Sequence, residues 1–211
     1  MKLDENAPKQ ERSRHTLHRL LSATEALLEH GGLEAATVPA IAKAAGLSVG
    51  VVYRRFPDKD MLLRAVYERV FERVGQQNMA NLQAVTAMDI PLPKLVRGIV
   101  KGIAEGFRRK RGLLRSLMRY ARTHPDAEFR EFARKMNRAS MFNVTALLLR
   151  HRDEIKHPRP EMAIEFGLLA VSSVLHTLIL EDEPPPGIRA PERVEDELTR
   201  MFLGYLGIAP Q

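Results

Sequence analysis

The 211-residue chain contains no cysteine, few aromatic residues and no long hydrophobic run. Without cysteine, a disulfide framework, a thiolate-bound zinc or iron–sulfur cluster and a catalytic thiol are excluded. The seven histidines show no metal-ligand spacing, so we expect neither a metal nor a cofactor. The first residues are polar, and the most apolar stretch, 166–180, is shorter than the roughly 20 residues that span a bilayer. We therefore expect a cytoplasmic protein without a signal peptide or membrane contact.

What the chain does contain is a helical pattern over almost its whole length. Hydrophobic residues make up 45% of it, which is enough for a packed core, and they recur at helical spacing. The alternation typical of strands is scarce, and prolines stand near most of the predicted helix starts. The sequence therefore predicts an all-α protein. The predicted helices span residues 13–30, 37–45, 48–55, 58 to about 77, 92–107, 110–122, 125–152, 160–180 and 191–207, with a proline-rich loop at 181–191.

Residues 37–56 are the most informative segment, because they predict two short helices joined by a tight turn. Thr37 is a suitable N-cap for the first helix, and Gly46 supplies the left-handed conformation that the turn needs. The second helix begins with small residues, which would let it enter a DNA major groove about 12 Å wide. Val52 and Phe56 would anchor its other face in the core. This is the pattern of a helix-turn-helix, whose second helix reads DNA.

The residues around this turn resemble the signature of TetR/AcrR-family transcriptional regulators. The resemblance covers residues 13–65, and it is specific because many positions agree in register. In the rest of the chain, only the helical character and the total length match. The matching positions are Thr37, Ile41, Ala42, Ala45, Gly46, Leu47, Ser48, Gly50, Val52, Tyr53, Phe56, Lys59, Leu62 and Leu63.

The resemblance implies two domains and a homodimer. An N-terminal three-helix helix-turn-helix domain would bind a double-stranded DNA operator. A C-terminal helical domain would carry the dimer interface and a pocket for an unidentified small-molecule effector. We accordingly expect a flexible N-terminal arm at 1–11, a DNA-binding domain at 12–58, and a ligand-binding and dimerisation domain at 59–211. The expected function is that of a repressor that a ligand releases from a palindromic operator.

The resemblance also assigns residues to DNA contact. Thr37, Tyr53 and Lys59 would contact phosphates, and residues 49–51 would face the groove floor. Many members of the family carry Ser or Thr where this chain has Val51. Apolar contacts to thymine methyl groups, with an arginine reading a base or a narrow groove, would then matter more here. The predicted DNA-binding residues are Thr37, Ser48, Val49, Gly50, Val51, Tyr53, Arg54, Arg55 and Lys59.

Two further sets of residues are predicted in the C-terminal region. Aromatic and methionine side chains at helical spacing are more often core than ligand contacts, and only the resemblance favours a pocket among them. The candidate pocket residues are Phe107, Met118, Tyr120, Phe129, Phe132, Met136, Phe142, Phe166 and His176. The eighth helix carries two apolar stripes, of which one would pack on its own domain and the other on a second copy. The candidate interface residues are Ile164, Leu168, Val171, Leu175, Leu178, Val194, Leu198, Met201, Phe202 and Tyr205.

The formal net charge of +7 does not lie where the DNA-binding motif lies. Residues 1–60 carry nine bases against eight acids, whereas residues 94–122 carry ten bases against one acid. That basic run has three open interpretations: a solvated helix face, a site for an anionic effector, or an additional contact with the DNA backbone. Arg12 and Arg14 are likewise either solvated or in contact with a groove or a phosphate.

Two other classes of function stay open on the sequence alone. An enzyme is disfavoured, because the sequence contains no Gly-x-Ser-x-Gly elbow, no His-Glu-x-x-His motif and no phosphate-binding glycine loop after a strand. A helical protein-interaction module would keep the fold but bind no operator. Loss of operator binding on substitution of Tyr53 or Lys59, with the fold intact, would distinguish the regulator from that module.

Overall fold

A computed structural model describes residues 7–86, 88–180 and 191–209. Over these residues it contains nine α-helices and one 3-10 helix, so the predicted all-α fold class is confirmed. The helices are α1 (Ala7–Ala35), α2 (Val38–Ala45), α3 (Val49–Arg55), α4 (Lys59–Thr86), α5 (Leu92–Arg109), α6 (Arg111–Thr123), α7 (Ala127–Leu149), α8 (Pro160–Leu180) and α9 (Pro191–Tyr205), with the 3-10 helix at Arg152–Glu154.

The chain divides into two compact units. Unit 1 comprises the described residues up to Glu72 together with Gly112–Tyr120. Unit 2 comprises Arg73–Arg111 and the described residues from Ala121 onward. Helices α4 and α6 therefore each contribute residues to both units.

Local sequence sets most of the helix ends in unit 1. Thr37 caps α2 by accepting a hydrogen bond from the Ala40 N–H at 3.3 Å, and Gly46 ends the helix in the left-handed conformation. Asp58 accepts a hydrogen bond from the Met61 N–H at 2.7 Å at the start of α4. The side-chain oxygens thus satisfy N–H groups that have no partner within the helix. These three predicted helix signals are confirmed.

Helix α1 is longer than the sequence predicts. It begins at Ala7, so residues 7–11 are helical, whereas residues 1–6 of the predicted arm lie outside the described residues. Gly32 interrupts the helix with a φ of 70°, but a final turn continues to Ala35. The first turns of α1 are polar and show no apolar periodicity. Periodicity alone therefore underestimates the length of this helix.

Unit 2 has an apolar core between α5, α7, α8 and α9. Helices α8 and α9 approach each other closely at Gly167, where a Cβ atom would lie 2.1 Å from the Phe202 ring. A side chain larger than hydrogen at this position would therefore separate the two helices. The core residues that are at most 2% exposed include Leu92, Val96, Val100, Leu148, Ile164, Leu168, Val171, Phe202 and Leu206.

Two boundaries in unit 2 differ from the prediction. Helix α4 continues to Thr86, although the polar run that begins at residue 76 predicts a connection. Helix α7 ends at Leu149 and a 3-10 helix follows, whereas one continuous helix is predicted as far as residue 152. Of the predicted loop, residues 181–190 lie outside the described residues.

Helix α8 is long and apolar enough to cross a membrane over Pro160–Leu178, as judged by length and composition. Core helices of soluble proteins meet the same criterion, so the observation is weak evidence for a membrane span. One stripe of α8, which contains Ile164, Leu168 and Val171, is buried in the core of unit 2. Packing within the chain thus buries 33% of this apolar stretch.

Candidate DNA-binding site

The turn between α2 and α3 is held by a glycine and an arginine. Gly46 adopts φ 62° and ψ 39°, and its N–H donates to the Lys43 carbonyl oxygen at 3.0 Å. Arg19 of α1 donates from Nη2 to the carbonyl oxygens of Ala45 at 2.5 Å and of Gly46 at 3.0 Å. A cation at the C-terminal end of α2 also interacts favourably with the helix dipole. Arg19 therefore fixes the turn to α1, a role that the sequence pattern does not reveal.

Helix α3 turns one face to the core and the opposite face to solvent. Val52 and Phe56 are buried, which confirms the predicted anchors. Gly50 and Arg54 lie about 160° from Val52 around the helix, and both are exposed. Tyr53 borders this outward face and is 52% exposed. A recognition helix needs such a face, with small side chains at its N-terminal end and hydrogen-bond donors beside them.

Four more of the predicted DNA-contacting residues lie at the starts of α2 and α3. Thr37 and Ser48 hold the exposed N-cap positions of α2 and α3, but only Thr37 uses its side chain as a cap. The Ser48 hydroxyl therefore makes no capping bond. Val49 is exposed and Val51 is half-buried. The first turn of α3 thus carries mainly apolar side chains.

The last two predicted contacts, Arg55 and Lys59, are already tied to α1 within unit 1. Lys59 Nζ donates to the Leu33 carbonyl oxygen at 3.0 Å, and Arg55 Nη1 donates to Ser13 Oγ at 3.2 Å. An ammonium group has three N–H donors and a guanidinium group has five, so each cation keeps donors for a phosphate. These bonds orient the two side chains.

A segment distant in sequence, residues 112–120 of α6, packs against α1 and completes unit 1. The Glu29 carboxylate accepts hydrogen bonds from the N–H groups of Leu113 at 2.8 Å and Gly112 at 3.4 Å. It thereby caps a helix that has no acid in its own first turn. Ser116 donates to a carbonyl oxygen of α1 at 3.0 Å. The partners are 83 to 88 residues apart in the chain, so no local pattern predicts this packing.

Tyr120, which is predicted to line a ligand pocket, belongs to this segment. Its hydroxyl donates to Asp60 Oδ1 at 2.6 Å. Burial, together with the hydrogen bond and charge of Asp60, raises the pKa of Tyr120 above its usual value. Met118 also lies in unit 1, whereas the other seven predicted pocket residues lie in unit 2. Tyr120 therefore links α6 to the first turn of α4.

The predicted pocket residues of unit 2 have different surroundings. Phe129 is buried, but Phe142 and Phe166 are 74% and 55% exposed. His176 is half-buried, and its Nε2 atom is buried without a hydrogen-bond partner among the described residues. Burial and, to a smaller extent, the charge of Arg122 lower the pKa of His176. A pocket formed by this set stays a prediction.

A cavity of about 490 Å³ opens in unit 2 between the ends of α4 and α7 and the start of α5. Its volume lies in the range of small-molecule sites. None of the predicted pocket residues lines it. The lining residues are Val85, Thr86, Met88, Asp89, Ile90, Leu95, Leu147, Arg150 and His151.

The basic run at 94–122 is partly neutralised inside unit 2. Arg97 pairs with Asp196 at 2.7 Å, and Arg108 pairs with Glu195. Both acids lie near the start of α9, which packs on α5. An intramolecular role therefore accounts for part of the run, in addition to the three interpretations that the sequence leaves open.

The dimer surface predicted from the sequence requires correction. Seven of its ten residues are buried in the core of unit 2, namely Ile164, Leu168, Val171, Leu175, Val194, Leu198 and Phe202. A side chain that is already buried in its own chain offers no further apolar area to a second copy. The other stripe of α8 is exposed at Phe166, Leu169 and Val174, and Met201 of α9 is exposed as well. These four residues replace the buried ones as candidates, beside the half-buried Leu178 and Tyr205.

The glycine turn and the outward face of α3 define a helix-turn-helix protein of the DNA-binding class. The family model described as "Bacterial regulatory proteins, tetR family" matches residues 20–66. The model described as "Tetracyclin repressor-like, C-terminal domain" matches residues 91–206, which is more than half of the chain. The chain therefore belongs to the TetR family of transcriptional regulators. This family is non-enzymatic, and the assignment made from the motif at residues 37–63 is confirmed.

Relatives of known designation match parts of the chain. It is 35% identical over 99 residues to the HTH-type transcriptional repressor KstR of Rhodococcus jostii, a match that covers 46% of this chain and 44% of KstR. It is 32% identical over 88 residues to the HTH-type transcriptional regulator BetI of Yersinia pestis, covering 42% and 41%. The matches thus span less than half the length of these relatives. A transcriptional regulator from Rhodococcus sp. RHA1 shares the fold, with a TM-score of 0.66 at 23% identity over 92% of this chain and 98% of that one.

Proposed function

We propose that the protein is a homodimeric, cytoplasmic repressor that binds a palindromic DNA operator and is released from it by a small-molecule effector. The observation that carries the proposal is the outward face of α3, where the small residues 49–51 lie beside Tyr53 and Arg54. Two such helices, related by a two-fold axis, would enter successive major grooves, with half-sites roughly 34–36 Å apart. Membership of the TetR family supports the same function.

The side chains of this face favour a particular kind of operator. Val49 and Val51 cannot hydrogen-bond to base edges, but they can contact thymine methyl groups. Arg54 is the exposed hydrogen-bond donor closest to the centre of the face. We therefore propose that its guanidinium group contacts a base edge or a narrow minor groove. Selection of binding sites from a random duplex pool tests this assignment. A selected site without thymine beside the recognition turn would reject the apolar readout.

Tyr53→Ala is the sharpest test of DNA binding. Because Tyr53 is largely exposed, its removal disturbs no core packing. We expect operator affinity to fall about tenfold, as the loss of a hydrogen bond to a charged phosphate predicts, with an unchanged melting temperature. Fluorescence anisotropy with the selected duplex measures the affinity. Lys59→Ala is less specific, since it also removes the bond to Leu33.

A folded wild-type protein that selects no duplex from the pool would instead support the alternative of a helical protein-interaction module.

We further propose that the exposed stripe of α8 pairs with its copy about the two-fold axis. Sedimentation at micromolar concentration is expected to show a dimer, and a stable monomer would reject the arrangement.

The effector is proposed to bind in unit 2, either in the 490 Å³ cavity or among the seven predicted pocket residues that belong to that unit. A compound that raises the melting temperature is a candidate effector. If it is the effector, it weakens operator binding, and the operator weakens the binding of the compound by the same factor. A compound that binds tightly but leaves operator affinity unchanged would reject the switch.

A further inference from the structure

The N-terminal turns of α1 lie beside the recognition helix. Arg55 at the end of α3 donates from Nη1 to Ser13 Oγ at 3.2 Å, which joins residues 42 positions apart. Around α3, Arg55 lies about 60° from the buried Val52, and Tyr53 lies about 100° from it in the opposite direction. Helix α1 therefore lies beside α3 on the side away from Tyr53.

Two arginines flank Ser13 on α1. Arg12 and Arg14 each lie about 100° from Ser13 around the helix, one on either side. Both side chains are exposed, and neither guanidinium group has a hydrogen-bond or ion-pair partner among the described residues. A guanidinium group presents planar paired donors that match the oxygens of a phosphate. The first turns of α1, which lie beside the recognition helix, therefore carry an exposed arginine on each side of Ser13.

We propose that the first turns of α1 form a phosphate-binding edge of the DNA interface, in which Arg12 and Arg14 contact the duplex backbone beside the groove that α3 enters. Ser13 has a separate role as a positioning residue, because its hydroxyl holds the Arg55 guanidinium at the same edge. The inference rests on the proposed DNA-binding function. It extends the interface beyond the helix-turn-helix to a segment that the motif does not include.

The salt dependence of binding tests the two arginines. The slope of log K against log salt concentration is negative, and each lost phosphate contact reduces its magnitude by about 0.9 per bound protomer. We expect this reduction for Arg12→Gln and for Arg14→Gln, with the selected operator and with a random-sequence duplex alike, because phosphates carry no sequence information. Arg159→Gln is the matched control, since it removes an exposed arginine of unit 2 and changes the net charge equally. Its slope should equal that of the wild type.

The possible outcomes separate this inference from the proposed function. If the wild type binds its operator and neither arginine variant changes the slope, the phosphate-binding edge is rejected and the repressor function stands. A reduction that Arg159→Gln reproduces would also reject the edge, because it would reflect net charge alone. If the wild type binds no duplex, both proposals fail.

A double-mutant cycle tests the positioning role of Ser13. Ser13→Ala and Arg55→Gln should be non-additive in operator affinity, with a coupling of about threefold or more, whereas Ser13→Thr retains the hydroxyl and should bind as the wild type does. Both positions are on the surface, so the melting curves of all three variants should coincide with that of the wild type. Additive effects, or a Ser13→Thr variant as weak as Ser13→Ala, would reject this role.

Discussion

At the scale of single residues, the turn before the recognition helix depends on Gly46. Its φ of 62° is strained for any residue with a Cβ, and a Cβ there would lie 2.7 Å from Arg19 Nη2. We expect Gly46→Ala to lower the free energy of unfolding by about 1–2 kcal/mol, because the left-handed conformation carries that strain and Arg19 must move. Chemical denaturation measures the change.

Gly50 is the matched control for Gly46, since it is a helical glycine only four residues away. A Cβ at Gly50 would meet only Ser48 Oγ, at 3.9 Å, which is an ordinary contact. Gly50→Ala should therefore keep or raise the stability, by up to about 1 kcal/mol, through helix propensity. Equal free energies of unfolding for the two variants would show that the left-handed conformation at Gly46 does not limit the stability of the protein.

At the scale of elements, the packing of α6 on α1 requires a glycine at the contact. A Cβ at Gly112 would lie 2.0 Å from the Glu29 carbonyl oxygen, and backbone cannot move aside as a flexible side chain can. We expect Gly112→Ala to destabilise unit 1 by about 1–3 kcal/mol, as overpacking does, with faster amide exchange at Leu113. Gly102→Ala on α5 meets nothing within 4 Å and should not destabilise. Unchanged exchange at Leu113 in Gly112→Ala would contradict this packing.

At the scale of the whole molecule, two adjacent leucines of α8 should have different effects. Leu169 is 54% exposed on the stripe proposed for the dimer, whereas Leu168 is buried in the core. We expect Leu169→Glu to give a folded monomer in sedimentation, because a charge would be buried in the interface. Leu168→Ala should instead lower the free energy of unfolding by about 2–5 kcal/mol, through a cavity, without dissociating the dimer. A Leu169→Glu variant that stays dimeric would move the interface elsewhere.

Much of the fold was predictable wherever the signals are local. The caps at Thr37 and Asp58 and the stop at Gly46 involve residues three or four positions apart, and the structure confirms them. The exposed and buried sides of α3 also follow from a 100° rotation per residue. The ends of α1 and α4 were less predictable, because their polar turns carry no apolar periodicity.

The candidate site was predictable only in part. The sequence places Tyr53 and Arg54 on an exposed face, but it does not show that Arg19 closes the turn or that Ser13 holds Arg55. These contacts join residues 26 and 42 positions apart, and no sequence spacing encodes such distances. For the same reason Tyr120, which the sequence assigns to a pocket, lies against α4.

The choice between the two stripes of α8 shows where local information ends. The residues of both stripes are apolar and recur at helical spacing. Periodicity therefore predicts the helix and two apolar faces, each of which could be buried. Which stripe meets α5 and α9, and which remains exposed, depends on helices that are distant in the chain. Short-range patterns thus specify helices, caps and the helix-turn-helix, because these depend on neighbouring residues. Tertiary packing alone decides the partners of each face, because those contacts form only once the chain has folded.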